Sequence, residues 1–311
     1  VYLQLPPLFV MQTNIYQDTL ALLHTSANDS PHPNRRLALQ TALGIGYCAA
    51  AIPLVAQTAI KTPTDGLVTG EVTIDVQGFK MPVFRAAPKD KTNLPVVLVI
   101  SEIFGVHEYI ADVACRFARE GYLAIAPELF IRQGDPSSYG EIAKLQAEVI
   151  SKVPDAQVMK DLDACISWSG THGGDTKRLA ITGFCWGGRI TWLYAMHQPQ
   201  LKAAVAWYGR LEGEKTAATP AHPIDLANQL KAPVMGLYGA ADTGISVASV
   251  ERMKSTLAQM AALGNTAAKN SQFVVYPDAP HAFHADYRPT YQAGPAQDGW
   301  KRTLEWFKKY V

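Results

Sequence analysis

Short apolar runs alternate with amphipathic segments along most of the chain. The run Pro95–Ile100 is apolar at every position, which is typical of a parallel strand buried on both faces. In Tyr109–Glu120 the apolar residues recur with helical spacing, which predicts a helix that Gly121 ends. Other apolar runs predict strands at Tyr122–Ala126, Leu179–Thr182, Ala203–Trp207, Val234–Tyr238 and Phe273–Tyr276. Amphipathic segments predict helices at Ala156–Trp168, Arg189–His197, Val247–Leu263 and Trp300–Tyr310.

A pair of strands is predicted ahead of this alternation. Glu71–Val76 and Lys80–Arg85 flank Gly78, and this arrangement predicts an opening β-hairpin. Strands that alternate with helices favour a mostly parallel central sheet with helices on both faces. The sequence therefore predicts one α/β domain over residues 60–311.

Residues 1–59 show little periodicity, and we predict that they form an extension outside this domain. The pair Arg35–Arg36 precedes an uncharged, Ala- and Gly-rich stretch from Thr41 to Ala56, which resembles a twin-arginine export signal. This resemblance predicts a periplasmic protein. The alternative is a cytoplasmic protein whose N-terminal helix packs on the domain. Glycine and proline interrupt the stretch, so we do not expect it to span a membrane.

Charge and cysteine content exclude two classes of site. The chain has 28 basic and 27 acidic residues, spread without long runs, so no nucleic-acid partner is predicted. Cys48, Cys115, Cys165 and Cys185 form neither a C-x-x-C pair nor a zinc-finger spacing, so no structural metal site is predicted. We expect Cys115 and Cys165 to be buried, apolar helix residues.

The strongest chemical signal is Gly183–Gly188, GFCWGG, between a predicted strand and a predicted helix. It fits the nucleophile-elbow pattern G-x-S-x-G, with Cys185 in place of serine. The residues two positions from the nucleophile must lack side chains so that strand and helix can approach each other. The alternative interpretation is a glycine-rich turn that holds a buried structural cysteine.

A thiol nucleophile needs a base, and the base needs a group that orients it. In folds that carry a nucleophile elbow, the chain order of the catalytic residues is nucleophile, acid, histidine. Asp242 follows the predicted strand Val234–Tyr238 at the sheet edge where ligands bind, although a purely structural turn aspartate is the alternative. His281 follows the last predicted strand and is the favoured base. His284 is the alternative base, and we expect it behind the site or in solvent; the other histidines of the domain are expected at the surface or in the core.

The segment Ser101–Glu108 directly follows the buried Pro95–Ile100 strand. In this type of fold the loop after an early strand supplies a second oxyanion donor, as a backbone N–H. Glu102 would therefore lie at the rim of the site, where a carboxylate near a thiol has a perturbed pKa and could hold the thiol in check. A solvated loop acid is the alternative.

Four motifs, GFCWGG, SEIFGVHEY, YGAAD and PDAPHAF, together resemble the dienelactone hydrolases (carboxymethylenebutenolidases). The resemblance runs from about Val72 to the C-terminus. It implies a single α/β-hydrolase domain that acts on a small lactone or ester without cofactor or metal. Mapped residue by residue, the family's site falls on the triad Cys185, Asp242 and His281, the regulatory Glu102, and the oxyanion-hole N–H groups of Ile103 and Trp186.

The resemblance implies hydrolysis of the enol-lactone 4-carboxymethylenebut-2-en-4-olide to maleylacetate, in the degradation of chloroaromatic compounds. Ala285 departs from the family pattern, which has a carboxylate-binding arginine there, and Ala282 stands where the family often has serine. Arg132, Arg210 and Arg288 are candidates for the missing charge. The departures leave open a carboxylesterase or thioesterase with another small substrate, and a non-catalytic binding protein of the same fold.

Overall fold

The computed structural model describes residues 60–311, so the predicted extension and export signal lie outside the described residues. The strands are β1 Leu67–Val76, β2 Phe79–Pro88, β3 Leu94–Ile100, β4 Leu123–Pro127, β5 Gly174–Phe184, β6 Ala203–Trp207, β7 Val234–Gly239 and β8 Gln272–Tyr276. The α-helices of this part of the chain are α1 Glu108–Arg119, α2 Ile142–Glu148, α3 Asp155–Thr171, α4 Trp186–His197, α5 Val247–Ala262, α6 Thr266–Asn270 and α7 Ala293–Tyr310. Short 3-10 helices lie at Pro136–Ser138, Ile150–Lys152 and Pro223–Gln229.

All eight strands form one sheet in the order β1-β2-β4-β3-β5-β6-β7-β8. β1 pairs with β2, and β2 with β4, in antiparallel fashion, whereas every other pair is parallel. β4 and β6 are buried at every position, as expected for parallel strands covered on both faces. The predicted opening hairpin and the mostly parallel sheet are both confirmed.

The order of the strands shows how helices cover both faces. The connection β3–α1–β4 runs to one side of β3, and β4–α3–β5 runs back past it. Because parallel crossovers are right-handed, this reversal places α1 on one face of the sheet and α3 on the other. The connections through α4 and α5 move across the sheet in the same direction as the connection through α3, so these helices lie on the same face as α3. Helix α7 packs on α1 on the opposite face, where the ring centroids of Phe117 and Phe307 are 5.8 Å apart. Helices therefore lie on both faces, as predicted.

The same reversal fixes where a site can form. Ligands of open α/β sheets bind beyond the carboxyl ends of the strands, at the point where the strand order reverses. Here that point lies between β3 and β5, which pair up to Ile100 and Gly183. The loop that begins at Ser101 and the turn at Cys185 therefore leave the sheet side by side.

Cys115 on α1 and Cys165 on α3 are fully buried, as predicted. No helix within residues 60–311 has the length and apolar character needed to cross a membrane.

Candidate active site

Cys185 occupies the single residue between β5 and α4. Its φ of +56° lies in the left-handed region, which costs a non-glycine residue free energy and is held only by its surroundings. The Cys185 N–H donates to the carbonyl oxygen of Trp207 at 3.0 Å, and its own carbonyl accepts from the N–H groups of Gly188 and Arg189. The turn is therefore fixed on both sides by backbone hydrogen bonds.

The glycines around Cys185 permit this turn. A Cβ atom on Gly183 would lie 2.3 Å from the carbonyl oxygen of Gly187, and one on Gly187 would lie 2.4 Å from that of Ile100. A Cβ on Gly188 would lie 2.5 Å from the carbonyl oxygen of Trp207. Backbone atoms cannot move aside as flexible side chains can. The close approach of strand and helix that the glycine spacing predicts is therefore confirmed.

Asp242 and His281 form a buried pair at the carboxyl ends of β7 and β8. Nδ1 of His281 donates to Oδ2 of Asp242 at 2.7 Å. Oδ1 of Asp242 accepts from the backbone N–H groups of Gly244 at 2.8 Å and Ile245 at 3.0 Å. One carboxylate oxygen thus bonds the local backbone, as the turn alternative describes, while the other holds the imidazole of His281 in one orientation.

The electrostatic surroundings of His281 include the sulfur of Cys185. Burial alone lowers the pKa of His281, but the Asp242 carboxylate and the Cys185 sulfur outweigh burial and raise that pKa well above its ordinary value. The Nε2 atom is buried and has no hydrogen-bond partner among residues 60–311. Because Nδ1 is bound to Asp242, Nε2 is the nitrogen available to exchange a proton with the sulfur.

His284, the alternative base, has a different environment. Its Nδ1 lies 2.6 Å from the hydroxyl of Tyr109, and its ring packs against those of Phe184 and Trp207. Burial and the charge of Arg116 lower the pKa of His284 well below its ordinary value of 6.5. His284 is therefore a neutral core residue behind the site, and the possibility that it lies in solvent is wrong.

Glu102 follows β3 and is 2% exposed, so the alternative of a solvated loop acid is wrong. The Tyr287 hydroxyl donates to Oε2 at 2.9 Å, His107 Nε2 lies 3.2 Å from the same atom, and Arg288 Nε lies 3.9 Å from Oε1. Burial raises the pKa of Glu102, but His107, Arg288 and Tyr287 together bring it below its ordinary value. Within the described residues, no hydrogen bond joins Glu102 to Cys185.

Sequence reasoning missed part of this environment. The sequence predicts no site role for His107, yet its Nε2 atom lies 3.2 Å from Oε2 of Glu102. Tyr287 and Tyr208 carried no motif signal at all. The one hint for Tyr287 is its position six residues after His281 in the loop that follows the last strand. Their proximity to Glu102 or Cys185 comes from strand register and loop path, which composition and periodicity do not encode.

The candidate oxyanion donors lie beside Cys185. Within the described residues the N–H groups of Ile103 and Trp186 donate no hydrogen bond. A Cβ on Gly187 would lie 2.4 Å from the Ile100 carbonyl oxygen and 2.5 Å from that of Ser101. This close packing sets the start of α4 directly against the loop that carries Ile103. Both N–H groups are therefore available on the same side of the turn.

The three candidate arginines lie in different surroundings. Arg132 binds both carboxylate oxygens of Asp161, at 2.6 and 2.7 Å, and its charge is paired there. Arg210 lies close to Gly213. The guanidinium of Arg288 lies 5.0 Å from the centre of the Phe104 ring, and its electrostatic neighbours include Glu102 and Cys185. Arg288 is therefore the candidate arginine whose electrostatic neighbours include Cys185.

Residues 81–311 match the model of the dienelactone hydrolase family. A relative from Methylorubrum extorquens, provisionally named a carboxymethylenebutenolidase, is 55% identical over 278 residues, which cover 89% of this chain and 93% of the relative. A relative from Escherichia coli K12, with the same provisional name, is 54% identical over 266 residues, 85% of this chain and 95% of the relative.

A solved structure extends the likeness to three dimensions. The crystal structure of a protein from Klebsiella pneumoniae, provisionally named a dienelactone hydrolase, is 56% identical and superposes with a TM-score of 0.74. The match covers 78% of this chain and 99% of that one. The α/β-hydrolase fold predicted from the sequence is thereby confirmed, and the chain belongs to the dienelactone hydrolase family.

Proposed function

We propose that this protein is a carboxylic-ester hydrolase that opens a small lactone through attack by Cys185. The favoured reaction is the hydrolysis of 4-carboxymethylenebut-2-en-4-olide to maleylacetate. The observation that carries the proposal is the buried Asp242–His281 pair, 2.7 Å between Oδ2 and Nδ1, with the opposite ring nitrogen unpaired and the ring electrostatically coupled to Cys185. This arrangement suits a base that removes the proton of a thiol.

Acylation then follows from the positions of these groups. The Cys185 sulfur, after giving its proton to Nε2 of His281, forms a bond to the lactone carbonyl carbon, and the carbonyl π electrons move to oxygen. The N–H groups of Ile103 and Trp186 bind that oxyanion. When the carbonyl re-forms, the ring C–O bond breaks, and the leaving enolate oxygen takes the proton from His281.

Deacylation reverses the roles with water. His281 removes a proton from the water that attacks the thioester carbonyl, and the second tetrahedral intermediate uses the same oxyanion donors. Collapse breaks the C–S bond and returns the proton to sulfur, which restores Cys185. Asp242 supports both steps because it stabilises the imidazolium that each one forms.

Arg288 supports a substrate that carries a carboxylate. Ala285 is fully buried and has no charge to offer, but Arg288 lies in the same loop, beside both Glu102 and Cys185. Burial alone lowers the pKa of Arg288, while Tyr287, Glu102 and Cys185 outweigh burial and raise it, so the group is a permanent cation. We expect this cation to bind the exocyclic carboxylate of the dienelactone.

Glu102 fits the regulatory role that the family resemblance implies. The carboxylate is ionised and bound to Tyr287 and His107, and it lies near the arginine that would meet the substrate. A substrate carboxylate that binds Arg288 would compete with Glu102 for that cation. We therefore expect substrate binding to change the position or the charge environment of Glu102, and through it the reactivity of the thiol.

The test compares substrates across matched variants. Cys185→Ala should abolish turnover of cis- and trans-dienelactone, whereas Cys165→Ala, which removes a buried thiol on α3, should retain it. Arg288→Met should raise KM for dienelactone and leave neutral aryl esters nearly unchanged. Turnover by Cys185→Ala would refute the nucleophile. A wild-type preference for neutral esters or thioesters would replace dienelactone with another small substrate.

A further inference from the structure

Tyr208 lies next to the nucleophile because of strand register. In the parallel pair β5–β6, Phe184 is opposite Trp207, so Cys185 and Tyr208 are the next residues of the two strands. The Cys185 N–H donates to the carbonyl oxygen of Trp207 at 3.0 Å, and the Tyr208 N–H donates to that of Leu237 at 2.8 Å. The two residues therefore leave the sheet edge side by side.

The backbone of Tyr208 is strained. Its φ is +38°, in the left-handed region that a bulky side chain rarely adopts. Within residues 60–311 six non-glycine residues have positive φ, and three of them, Cys185, Tyr208 and Ala282, are at or next to the proposed triad. Strain of this kind collects at functional sites, where the surrounding structure enforces it.

The hydroxyl of Tyr208 is buried and unpaired. The residue is fully inaccessible to solvent, and its oxygen has no hydrogen-bond partner among the described residues. The hydroxyl of Tyr109 lies close enough to affect the pKa of Tyr208, but its own hydrogen bond is to Nδ1 of His284, at 2.6 Å. A buried hydroxyl without a hydrogen-bond partner is unfavourable and rare in folded proteins. We therefore expect this hydroxyl to bind a group that forms during the reaction.

The groups around this hydroxyl limit what it can do. Its ring packs edge-on against the ring of His281, with centroids 5.1 Å apart. Burial, reinforced by Glu102 and Cys185, raises the pKa of Tyr208 well above its ordinary value, so the hydroxyl stays protonated and can donate. Glu102 already accepts bonds from Tyr287 and His107. In the proposed reaction the oxyanion is bound by the N–H groups of Ile103 and Trp186, which leaves the thiolate of Cys185 as the anion that this hydroxyl can meet.

We propose that the Tyr208 hydroxyl donates a hydrogen bond to the sulfur of Cys185 when that sulfur is a thiolate. The bond forms as the proton leaves sulfur for Nε2 of His281, and it is lost when sulfur bonds to the acyl carbon. No atom of Tyr208 is transferred in either step. This inference rests on the proposed function, in which Cys185 is the nucleophile, and it adds a donor that specifies how the thiolate is stabilised.

The inference can be tested without any substrate. The rate at which iodoacetamide alkylates Cys185 is measured against pH, with the modified residue identified by mass spectrometry. The charged and titratable groups that face the sulfur are His281, Arg288 and Tyr208, with Glu102 beside them. Tyr208→Phe leaves the other three in place, so a shift in the alkylation profile reports the hydroxyl.

Tyr208→Phe should raise the apparent pKa of alkylation by about one unit and lower kcat/KM by roughly 10- to 100-fold, as expected for a hydrogen bond to a charged group. Its melting temperature should be unchanged or higher, because an unpaired buried hydroxyl is removed. Tyr194→Phe is the matched control. The Tyr194 hydroxyl donates to Asp163 at 2.9 Å, so this variant should lose stability and keep the wild-type profile.

A second variant covers the case in which phenylalanine disturbs the turn. 3-Fluorotyrosine at position 208 keeps the ring and strengthens the hydroxyl as a donor, so the apparent pKa of alkylation should fall. Wild-type alkylation profiles in both variants would overturn the role of Tyr208 and leave the proposed function intact. Turnover by Cys185→Ala would instead remove the proposed function itself.

Discussion

Replacing Asp242 by asparagine tests the proposed triad through its hydrogen-bond polarity. The Oδ1 position accepts two backbone N–H groups, at 2.8 and 3.0 Å, so the amide oxygen of asparagine must occupy it. The amide NH₂ then replaces Oδ2 at 2.7 Å from Nδ1 of His281. Two donors cannot face each other, so the imidazole must carry its proton on Nε2. In that tautomer it cannot take a proton from Cys185.

The expected loss is large, and the fold should be unaffected. A wrong histidine tautomer in a triad costs about 10³- to 10⁴-fold in kcat, or roughly 4–5.5 kcal/mol of transition-state stabilisation. The carboxylate charge that raises the pKa of His281 also disappears, so that pKa should fall. Both backbone hydrogen bonds to the Oδ1 position remain, so the melting temperature should change little.

The assay is kcat and KM for trans-dienelactone and for a neutral aryl ester, together with NMR titration of the His281 ring. Asp278→Asn is the matched control, since it removes a carboxylate from the loop that carries His281, and this carboxylate makes no described bond to the imidazole. If Asp242→Asn retains more than about a tenth of wild-type kcat, Asp242 does not orient the base and the reasoning fails.

His281→Ala should lower kcat/KM by at least about 10³-fold with little change in melting temperature, whereas His284→Ala should destabilise the fold by about 3–5 kcal/mol because it empties a packed site and leaves the Tyr109 hydroxyl unpaired. Gly187→Ala should abolish activity when equal amounts of folded protein are compared, because its Cβ would lie 2.4 Å from the carbonyl oxygen of Ile100, the last residue of β3. Gly294→Ala is the control, since a Cβ there meets no atom of residues 60–311 within 4 Å and the variant should fold normally. Because the pKa of His284 is lowered in the folded protein, the unfolded chain binds a proton on this residue at a higher pH than the folded protein does. Thermal stability should therefore fall as the pH drops below about 6.5, and it should fall less in His284→Phe.

Each of these has a clear contrary result. Equal losses of activity in the two histidine variants would remove the distinction between base and core residue. A fully active Gly187→Ala variant would show that the turn can accommodate a Cβ atom at this position, contrary to the contact distance. A melting curve that shifts with pH equally in wild type and His284→Phe would assign the acid sensitivity to another group.

Much of the fold was predictable because buried parallel strands are continuous apolar runs. The predicted Ala203–Trp207 has the same bounds as β6, and β3, β7 and β8 differ by one residue at an end. α2 and α6 were missed because they are short and mostly exposed, and α2 buries only Leu145. α4 begins three residues earlier than predicted, since Gly187 and Gly188 suggest a turn, yet they start the helix to allow close packing.

Some residues of the candidate site could be located from the sequence and others could not. Cys185, Asp242 and His281 could be located because each follows a strand in the chain order of this fold, and strand ends share one edge. Tyr208 could not be identified, since the role proposed for it depends on the register Phe184–Trp207 and on an unpaired hydroxyl. Arg288 was one of three candidates until the packing separated them.

The left-handed residues at Cys185, Tyr208 and Ala282 have a consequence for engineering. Each conformation costs the folded protein about 1–3 kcal/mol, and glycine would relieve it. A programme that selects variants only for heat resistance would be drawn to these three positions. The selected variants would be more stable but would have altered the residues at or beside the proposed triad. Selection for thermal stability should therefore include an assay of turnover in every round.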